Sequence, residues 1–468
     1  MSRTRDKRRL RLTNFLHVPT DLIEEDELRK KLLFFNPLAA ANMYGGNKKN
    51  VDPYYSLFYG YDEDGNYLVP RTMFPEYPRD DSFVHYIMDS VRLPHGNFKH
   101  PPLYPHQKEA FRALVSADPN HGKSVISGCG SGKTIIAFAY MRWISCRTII
   151  IVDTAVLRDQ WINELVTHCR VHMENIGIVQ DRKFEVGKQF HVTIAMLQTL
   201  RNRALTDRFW RNFGLTIYEE GHQFGAETYA KVMPQSLGKR LLLTATYNRQ
   251  DQKDKVYRLH VGDPCYKNLD TPHVPDIWVY PTGLSFMRTN LGAQIRRFEP
   301  FGNFQRENVK SRMARSLPRN KRLIELLDRA YVAGREILFL SDRIQQLRFL
   351  YEHFKSKAYD CAMILGKAHG GMSAEEAKNY RMIFAIKHIC DKGFNKRSLD
   401  ILFEGLFYTS PNSIQQRFGR ILRSYDGKKK PIVVLFEDDD ELFVKQTKKM
   451  VQTAKRLWPE LKVRRFQG

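Results

Sequence analysis

Ser124-Val125-Ile126-Ser127-Gly128-Cys129-Gly130-Ser131-Gly132-Lys133-Thr134 is the stretch on which the fold turns. An apolar strand at 123–127 runs into a glycine-rich turn, and an amphipathic helix at 133–145 begins at once. Glycines let successive backbone N–H groups turn inward as an anion nest, and the helix start adds its positive dipole end. Gly128, Gly130, Ser131 and Gly132 supply that nest, Lys133 neutralises β- and γ-phosphates, and the Thr134 hydroxyl suits Mg²⁺. Ser127 stands where the strict pattern has glycine, and it is small enough for the turn.

Outward from the turn, short apolar strands alternate with amphipathic helices. Strands are expected at 147–152, 192–195, 215–219 and 240–244, with a helix at 156–170. After an irregular polar stretch at 266–315 the alternation resumes, with helices at 321–333, 344–355 and 413–420. Strands there fall at 336–340, 361–365, 382–385, 401–403 and 431–436. Such alternation gives parallel sheets with helices on both faces. The fold class is therefore α/β, two such units in tandem, preceded by a small α+β domain. In that first part the sequence predicts a helix at 24–31, an apolar run at 32–35 and a hairpin over 54–69 turning at 62–66. Prolines 70, 75, 78, 94, 101 and 102 thin out regular structure before 103. The expected boundaries are 1–98 (accessory domain with a basic arm), 99–270, a linker at 271–315, and 316–468.

The chain has 468 residues, room for two to four domains at ~100–200 residues each. With 42% apolar and 12% aromatic residues, 28 glycines and 6 cysteines, it is neither disordered nor collagen-like nor a disulfide-stapled mini-protein. The cysteines lie far apart, which fits a reducing compartment and provides no zinc framework. No apolar run reaches the length of a membrane span, and the basic N-terminus lacks the apolar core of a secretory signal. A cytoplasmic, non-secreted protein without a membrane partner is expected, and a monomer is compatible with the sequence. Lys plus Arg number 75 against 51 Asp plus Glu, a net charge of +24 that points to a polyanionic partner, usually nucleic acid. Basic residues concentrate at both ends, as a solvated tail or an arm lying on phosphates. The acidic run at 437–441 reads as a solvated helix start without a metal.

Three further motifs carry chemistry. Strand 215–218 ends in Glu219-Glu220-Gly221-His222, and the ends of parallel strands are where such sheets place their sites. One carboxylate (Glu219) suits the Mg²⁺ shell and the other (Glu220) takes a proton from attacking water. His222 then links the nucleotide site to the hydroxyls of Thr244 and Thr246 in Leu242-Leu243-Thr244-Ala245-Thr246. In Gln415-Gln416-Arg417-Phe418-Gly419-Arg420-Ile421-Leu422-Arg423, two arginines three apart share a helix face, and a pair offered across a cleft meets the charge developing on a γ-phosphate.

Together these pieces resemble superfamily 2 DExH-box helicases over roughly 103–440, and their details resemble the XPB-like branch with its phage UvsW-type and other viral members. The resemblance implies two RecA-like domains, ATP and Mg²⁺ as cofactors, and catalytic roles for Lys133, Glu220, Arg420 and Arg423. Leu103-Tyr104-Pro105-His106-Gln107 looks like the branch's adenine-reading entry, with Gln107 the reader. The 153–161 and 195–200 segments resemble motifs Ia and Ib, and 337–343 resembles motif IV. This implies nucleic-acid contacts at Thr154, Arg158, Gln198, Thr199, Ser341 and Arg343, and at Arg249 in Thr246-Tyr247-Asn248-Arg249-Gln250-Asp251, which looks like the branch's T-A-T-x-x-R-E-D segment. Lys392-Gly393-Phe394-Asn395 stands where the family writes E-G-L-D, which places Gly393 beside the nucleotide. Glu219 in place of Asp, Asn395 in place of an acid and Ile386 in place of a Thr depart from the pattern.

The implied activity is that of an ATP-dependent DNA helicase or translocase, moving 3′→5′ on single-stranded or branched DNA in replication, recombination or repair. An RNA helicase, or a viral transcription-associated helicase, is the neighbouring alternative. A basic nucleic-acid-binding protein with a decayed ATPase is the alternative from another class. A restriction-enzyme motor subunit would need a nuclease module, and no PD-(D/E)xK pattern is present.

Overall fold

The computed structural model describes residues 9–36, 54–94, 96–117, 123–128, 130–203, 205–225, 230–245, 247, 253–270, 273–287, 302–365, 370–387, 394–406 and 411–466. It divides into two compact units, residues 1–128 with 132–269 and residues 129–131 with 270–468. Each is built on a parallel sheet, as the alternation predicted.

The first unit opens with β1 (Leu10–Leu12), β2 (Leu16–Val18), the ribbon β3 (Leu33–Phe35) with β4 (Tyr54–Ser56), then β5 (Tyr67–Val69) and β6 (Arg79–Asp80). Strands β5-β2-β1-β6 form one sheet. The turn expected at 62–66 is present, held by Asp62 Oδ1 accepting from the amides of Asp64 (3.0 Å) and Asn66 (2.8 Å). The arm at 54–56, however, pairs with 33–35 rather than with β5. Ring pairs Phe34–Tyr55 and Phe35–Tyr54, at 5.6 and 5.5 Å, favour that partner. The proline-rich stretch holds a helix, Ser82–Ser90, because prolines 78 and 94 bracket it without interrupting it.

The large sheet of this unit comprises β7 (Ser124–Ser127), β8 (Thr148–Val152), β9 (Ile176–Gln180), β10 (Lys183–Phe184), β11 (Val192–Met196), β12 (Leu215–Glu219), β13 (Lys239–Thr244) and β14 (Pro264–Asn268). Their order is β10-β9-β11-β8-β12-β13-β7-β14, and only the edge strand β10 runs antiparallel to its neighbour. Successive residues of one strand enter different cores, with Ile150 and Val152 on one face and Ile149 and Ile151 on the other. That two-sided burial is why the run Ile149–Val152 is apolar without alternation. The second face also receives Leu10, Leu16, Val18 and Val69 from the N-terminal sheet. Arg71 and Arg240 hold these layers together. Arg71 donates to the carbonyls of Leu237 (2.6 Å) and Gly238 (2.7 Å), Arg240 to those of Asn14 and His260 (both 2.9 Å). Burial lowers the pKa of both guanidinium groups. Strand β9, for which the sequence offered no expectation, is a five-residue run interrupted by Gly177. The helix expected over 156–170 is α-helical over Ala155–Glu164 and continues as a π-turn, Leu165–Cys169.

The second unit adds β15 (Asp276–Pro281), β16 (Ile337–Ser341), β17 (Cys361–Ile364), β18 (Met382–Ile386), β19 (Ile401–Glu404), β20 (Ile432–Glu437) and β21 (Val463–Arg465). Their order is β17-β18-β16-β19-β20-β15-β21, with parallel pairing throughout. The stretch 266–315, read as irregular, supplies β15 to the interior of this sheet and a helix, Gly302–Arg315. A six-residue strand beside His273 and Pro275 carries too short a pattern to stand out.

The acidic run at 437–441 starts a helix, with Asp440 at its N-cap, but it is solvated only in part: Asp439 and Glu441 are exposed, whereas Glu437 and Asp438 are buried. Asp438 and Arg319 are each 1% exposed and ion-paired at 3.1 Å. Thr282 donates to Asp438 at 2.5 Å, and Arg319 also reaches the Gly405 carbonyl at 2.8 Å. β20 carries Asp438 into the interior, and the helix Leu317–Val332 brings the arginine from far away in sequence. Asp438→Ala leaves that guanidinium buried without its carboxylate. A loss of about 3–5 kcal/mol is expected, read from the urea unfolding midpoint. Part of the basic C-terminus is likewise structural, since Arg465 forks onto Glu437 at 2.5 and 3.1 Å. Among the described residues no helix is long and apolar enough to cross a membrane.

Candidate active site

Four neighbouring parallel strands of the first unit, β8, β12, β13 and β7, bring Asp153, Glu219, Thr244 and Ser127 to one sheet edge. The glycine turn leaves β7 there. Gly130 and Gly132 have φ of +84° and +82°, a region that disfavours side chains. A Cβ on Gly132 would sit 2.3 Å from the Gln107 amide nitrogen, so glycine is required for that close approach. Gln107 is buried and its Oε1 accepts from the Tyr104 amide at 3.0 Å, which places the expected adenine reader against the turn. Helix Lys133–Ile144 starts immediately after Gly132, and a helix's first amides have no intrahelical partners. Lys133 Nζ folds back to the carbonyls of Ser127 (3.1 Å) and Gly128 (3.4 Å), and Thr134 follows it at the same helix start. Cys129 lies outside the described residues.

The fully buried β12 ends at Glu219, which is 8% exposed and whose Oε2 has no hydrogen-bond partner among the described residues. Burial first, and the neighbouring Glu220 second, raise its pKa, while Lys133 opposes the shift. A buried carboxylate oxygen without a donor, near a lysine and a glycine nest, fits a hydrated Mg²⁺ bound with a polyphosphate. Glu220 adopts φ +48°, a backbone conformation that is costly for a non-glycine residue and recurs at functional sites. Gly221 permits the turn, because a Cβ there would meet Leu242 at 2.3 Å. His222 Nδ1 lies 3.4 Å from the Glu220 carboxylate and 3.3 Å from the Thr244 hydroxyl. Its Nε2 meets the Gln223 amide at 3.0 Å. His222 thus stands between the Glu220 carboxylate and the Thr244 hydroxyl, whereas Thr246 and Arg249 lie outside the described residues.

In the second unit the helix carrying the arginine motif, Pro411–Phe418, ends earlier than expected, and a 3₁₀ turn over Gly419–Ile421 follows. Arg420 is buried and donates to the Phe394 carbonyl at 2.9 Å, and Arg423 donates to the side-chain oxygen of Asn395. The motif thus gathers on the Phe394-Asn395 segment, while Gly393 lies outside the described residues. Asn395 holds Arg423 without neutralising it, as a carboxylate would.

Several residues expected to meet nucleic acid hold loops in shape. Thr154 caps its helix by accepting from the Leu157 amide (3.3 Å), and Thr199 accepts from the Asp181 amide (3.0 Å). Gln198 donates to the Asp153 carbonyl at 2.7 Å. Ser341 is fully buried, donates to Gln346 at 2.8 Å and accepts from the Arg343 amide at 3.1 Å. Arg158 binds Asp159 at 2.6 Å and also Gln180. Arg343 binds Ser311 at 3.1 Å and Glu307, both from helix Gly302–Arg315, a stretch whose pattern carried no helix expectation.

Residues 100–249 match the family model for the type III restriction enzyme res subunit. A protein of Acanthamoeba polyphaga mimivirus named as an ATP-dependent RNA helicase is 28% identical over 406 residues, covering 83% of this chain and 74% of its own. A Haloarcula marismortui protein named as DNA 3′-5′ helicase Rad25 is 33% identical over 139 residues, 29% of this chain and 21% of its own. The solved structure of S. cerevisiae Dbp5 bound to RNA and ADP BeF3 superposes with a TM-score of 0.52 over 77% of this chain and 89% of that one, at 11% identity, a likeness of fold. Residues 100–249 are thus similar to the res subunit of type III restriction enzymes, and the relatives that match the chain carry the names of helicases.

Proposed function

We propose that the chain is a nucleic-acid-stimulated ATPase that moves along a strand, a DNA helicase or translocase of the XPB-like branch acting on single-stranded or branched DNA with 3′→5′ movement. The observation that carries this reading is the buried, donor-free oxygen of Glu219 beside Glu220, His222 and Thr244, at the strand edge where the Lys133 turn begins. Mg·ATP would be held by Gln107, the 128–134 turn and Glu219, and its phosphoanhydride supplies the driving chemistry. Lys133 must then leave the carbonyls it now binds. Glu220 takes the proton of the attacking water, and His222 passes the state of that carboxylate to Thr244. Arg420 and Arg423 supply positive charge for the transferring phosphoryl group.

The strand side is electrostatic. A motor that grips phosphates binds with little sequence preference and weakens as salt rises, and the net charge of +24 suits that grip. RNA as the track is the second reading, favoured by the name of the mimivirus relative and by its 83% coverage of this chain. Steady-state ATPase with no polymer, with oligo-dT and with oligo-U tests both. DNA stimulation that fades between 50 and 200 mM salt is the expected result. Stimulation by oligo-U alone moves the assignment to RNA, and a rate indifferent to either polymer removes the motor reading.

A further inference from the structure

Beyond the motif residues, we infer that the β9–β10 hairpin turn, Asp181–Phe184, is an additional phosphodiester-binding element that extends the strand track past Arg158. This inference rests on the motor reading above and names a part of its track.

Strands β8, β11 and β9 are adjacent and parallel, with Met196 in register with Val152 and Ala195 with Val179. Their C-terminal ends therefore line one sheet edge in the order Val152, Met196, Gln180. The loops that follow carry, in that order, Thr154 with Arg158, Gln198 with Thr199, and the hairpin turn. Neighbouring strands stand about 4.8 Å apart, so the three loops span roughly 10 Å, about three nucleotides of axial rise. A strand crossing the first two loops meets the third.

The turn is built to stay there. Asp181 takes φ +50°, its amide donates to Thr199 at 3.0 Å, and its carbonyl accepts from Arg203. Gln180 accepts from Arg158, tying the hairpin to the start of the preceding helix. Arg158, Asp159, Gln180, Asp181, Arg182 and Lys183 line an open concavity of about 430 Å³. Its charges are unequally compensated. Arg158 faces Asp159 at 2.6 Å, Lys183 faces Glu185 at 3.1 Å, and the Asp181 carboxylate accepts from Gln180 at 3.3 Å. Among the described residues, exposed Arg182 has no ion pair or hydrogen bond, and Arg203 pairs with no carboxylate. Arg203 lies instead over the ring of Phe184, 5.3 Å from its centroid, and that ring is 40% exposed. Arg182 on the turn, and Arg203 over the partly exposed Phe184 ring that also meets Phe209, are guanidinium groups without carboxylates and suit a backbone phosphate with an aromatic edge for the adjoining base.

The test uses the full chain and fluorescence anisotropy with oligo-dT and oligo-U of about twenty nucleotides, from 50 to 200 mM salt. Each phosphate contact on a single strand contributes about 0.7 to the slope of log K against log salt. R182A/R203A is expected to lower that slope by about 1.4, so that its affinity falls about sevenfold less than the unsubstituted chain's across this range. R182K/R203K keeps the slope, and F184L, which retains bulk but not the flat face, weakens binding roughly fivefold or more at every salt. Basal ATPase without polymer stays unchanged in all three. The two polymers separate DNA from RNA as the source of the phosphodiester. An unaltered slope in R182A/R203A, with the unsubstituted chain binding and stimulated normally, overturns the hairpin assignment alone. No strand binding by the unsubstituted chain overturns the motor reading along with it.

Discussion

Glu220→Gln is expected to bind ATP as tightly as the unsubstituted chain while hydrolysing it 10²- to 10⁴-fold more slowly, the range typical for loss of a positioned general base. The reasoning is geometric. Glu220 is held in a left-handed backbone conformation at the end of a buried strand, with its carboxylate 3.4 Å from His222. Glutamine keeps the shape and the contact with His222 and loses only the proton acceptor. Lys133→Ala removes the cation of the phosphate turn and should abolish turnover together with tight nucleotide binding. Binding of a fluorescent ATP analogue beside steady-state hydrolysis separates the two variants. Full ATPase in either contradicts the assignment of the site.

Replacing Arg420 or Arg423 by Ala is expected to cost about 10³- to 10⁵-fold in turnover, the range for an arginine that meets transition-state charge. Lysine should not restore the rate, because an ammonium cannot reproduce the planar fork of a guanidinium. The two positions differ in stability. Arg420 is buried and bonded to the Phe394 carbonyl, so its removal leaves that acceptor unsatisfied at about 1–3 kcal/mol. Arg423 is only partly buried and held by the Asn395 side chain, and its loss should leave the unfolding midpoint almost unmoved. Turnover and thermal melting of both variants check this. A melting shift without a rate effect assigns the motif to packing. Asn395→Asp gives a complementary reading: a carboxylate there would neutralise Arg423 and lower turnover with nucleotide affinity little changed.

Local pattern alone was enough for the strands and turns on which the nucleotide proposal rests. The strand, glycine turn and helix of 124–144, the buried strand ending in Glu219-Glu220, and the tandem α/β layout follow from apolar periodicity and from where glycines permit positive φ. These are properties of neighbours in the chain, so a sequence displays them. What tertiary structure decided are the partners brought from a distance. Asp438 looked solvated until Arg319 met it across 119 residues, and β15 looked like linker until β20 and β21 flanked it. Thr154, Thr199 and Ser341 carry family-like positions, yet their hydroxyls hold loops. The hairpin at 181–184 gains meaning only from its place beside β11 and β8 at the sheet edge. A charge or hydroxyl has no fixed role in one dimension, since its energy depends on which donors and acceptors folding sets around it and on how much water remains.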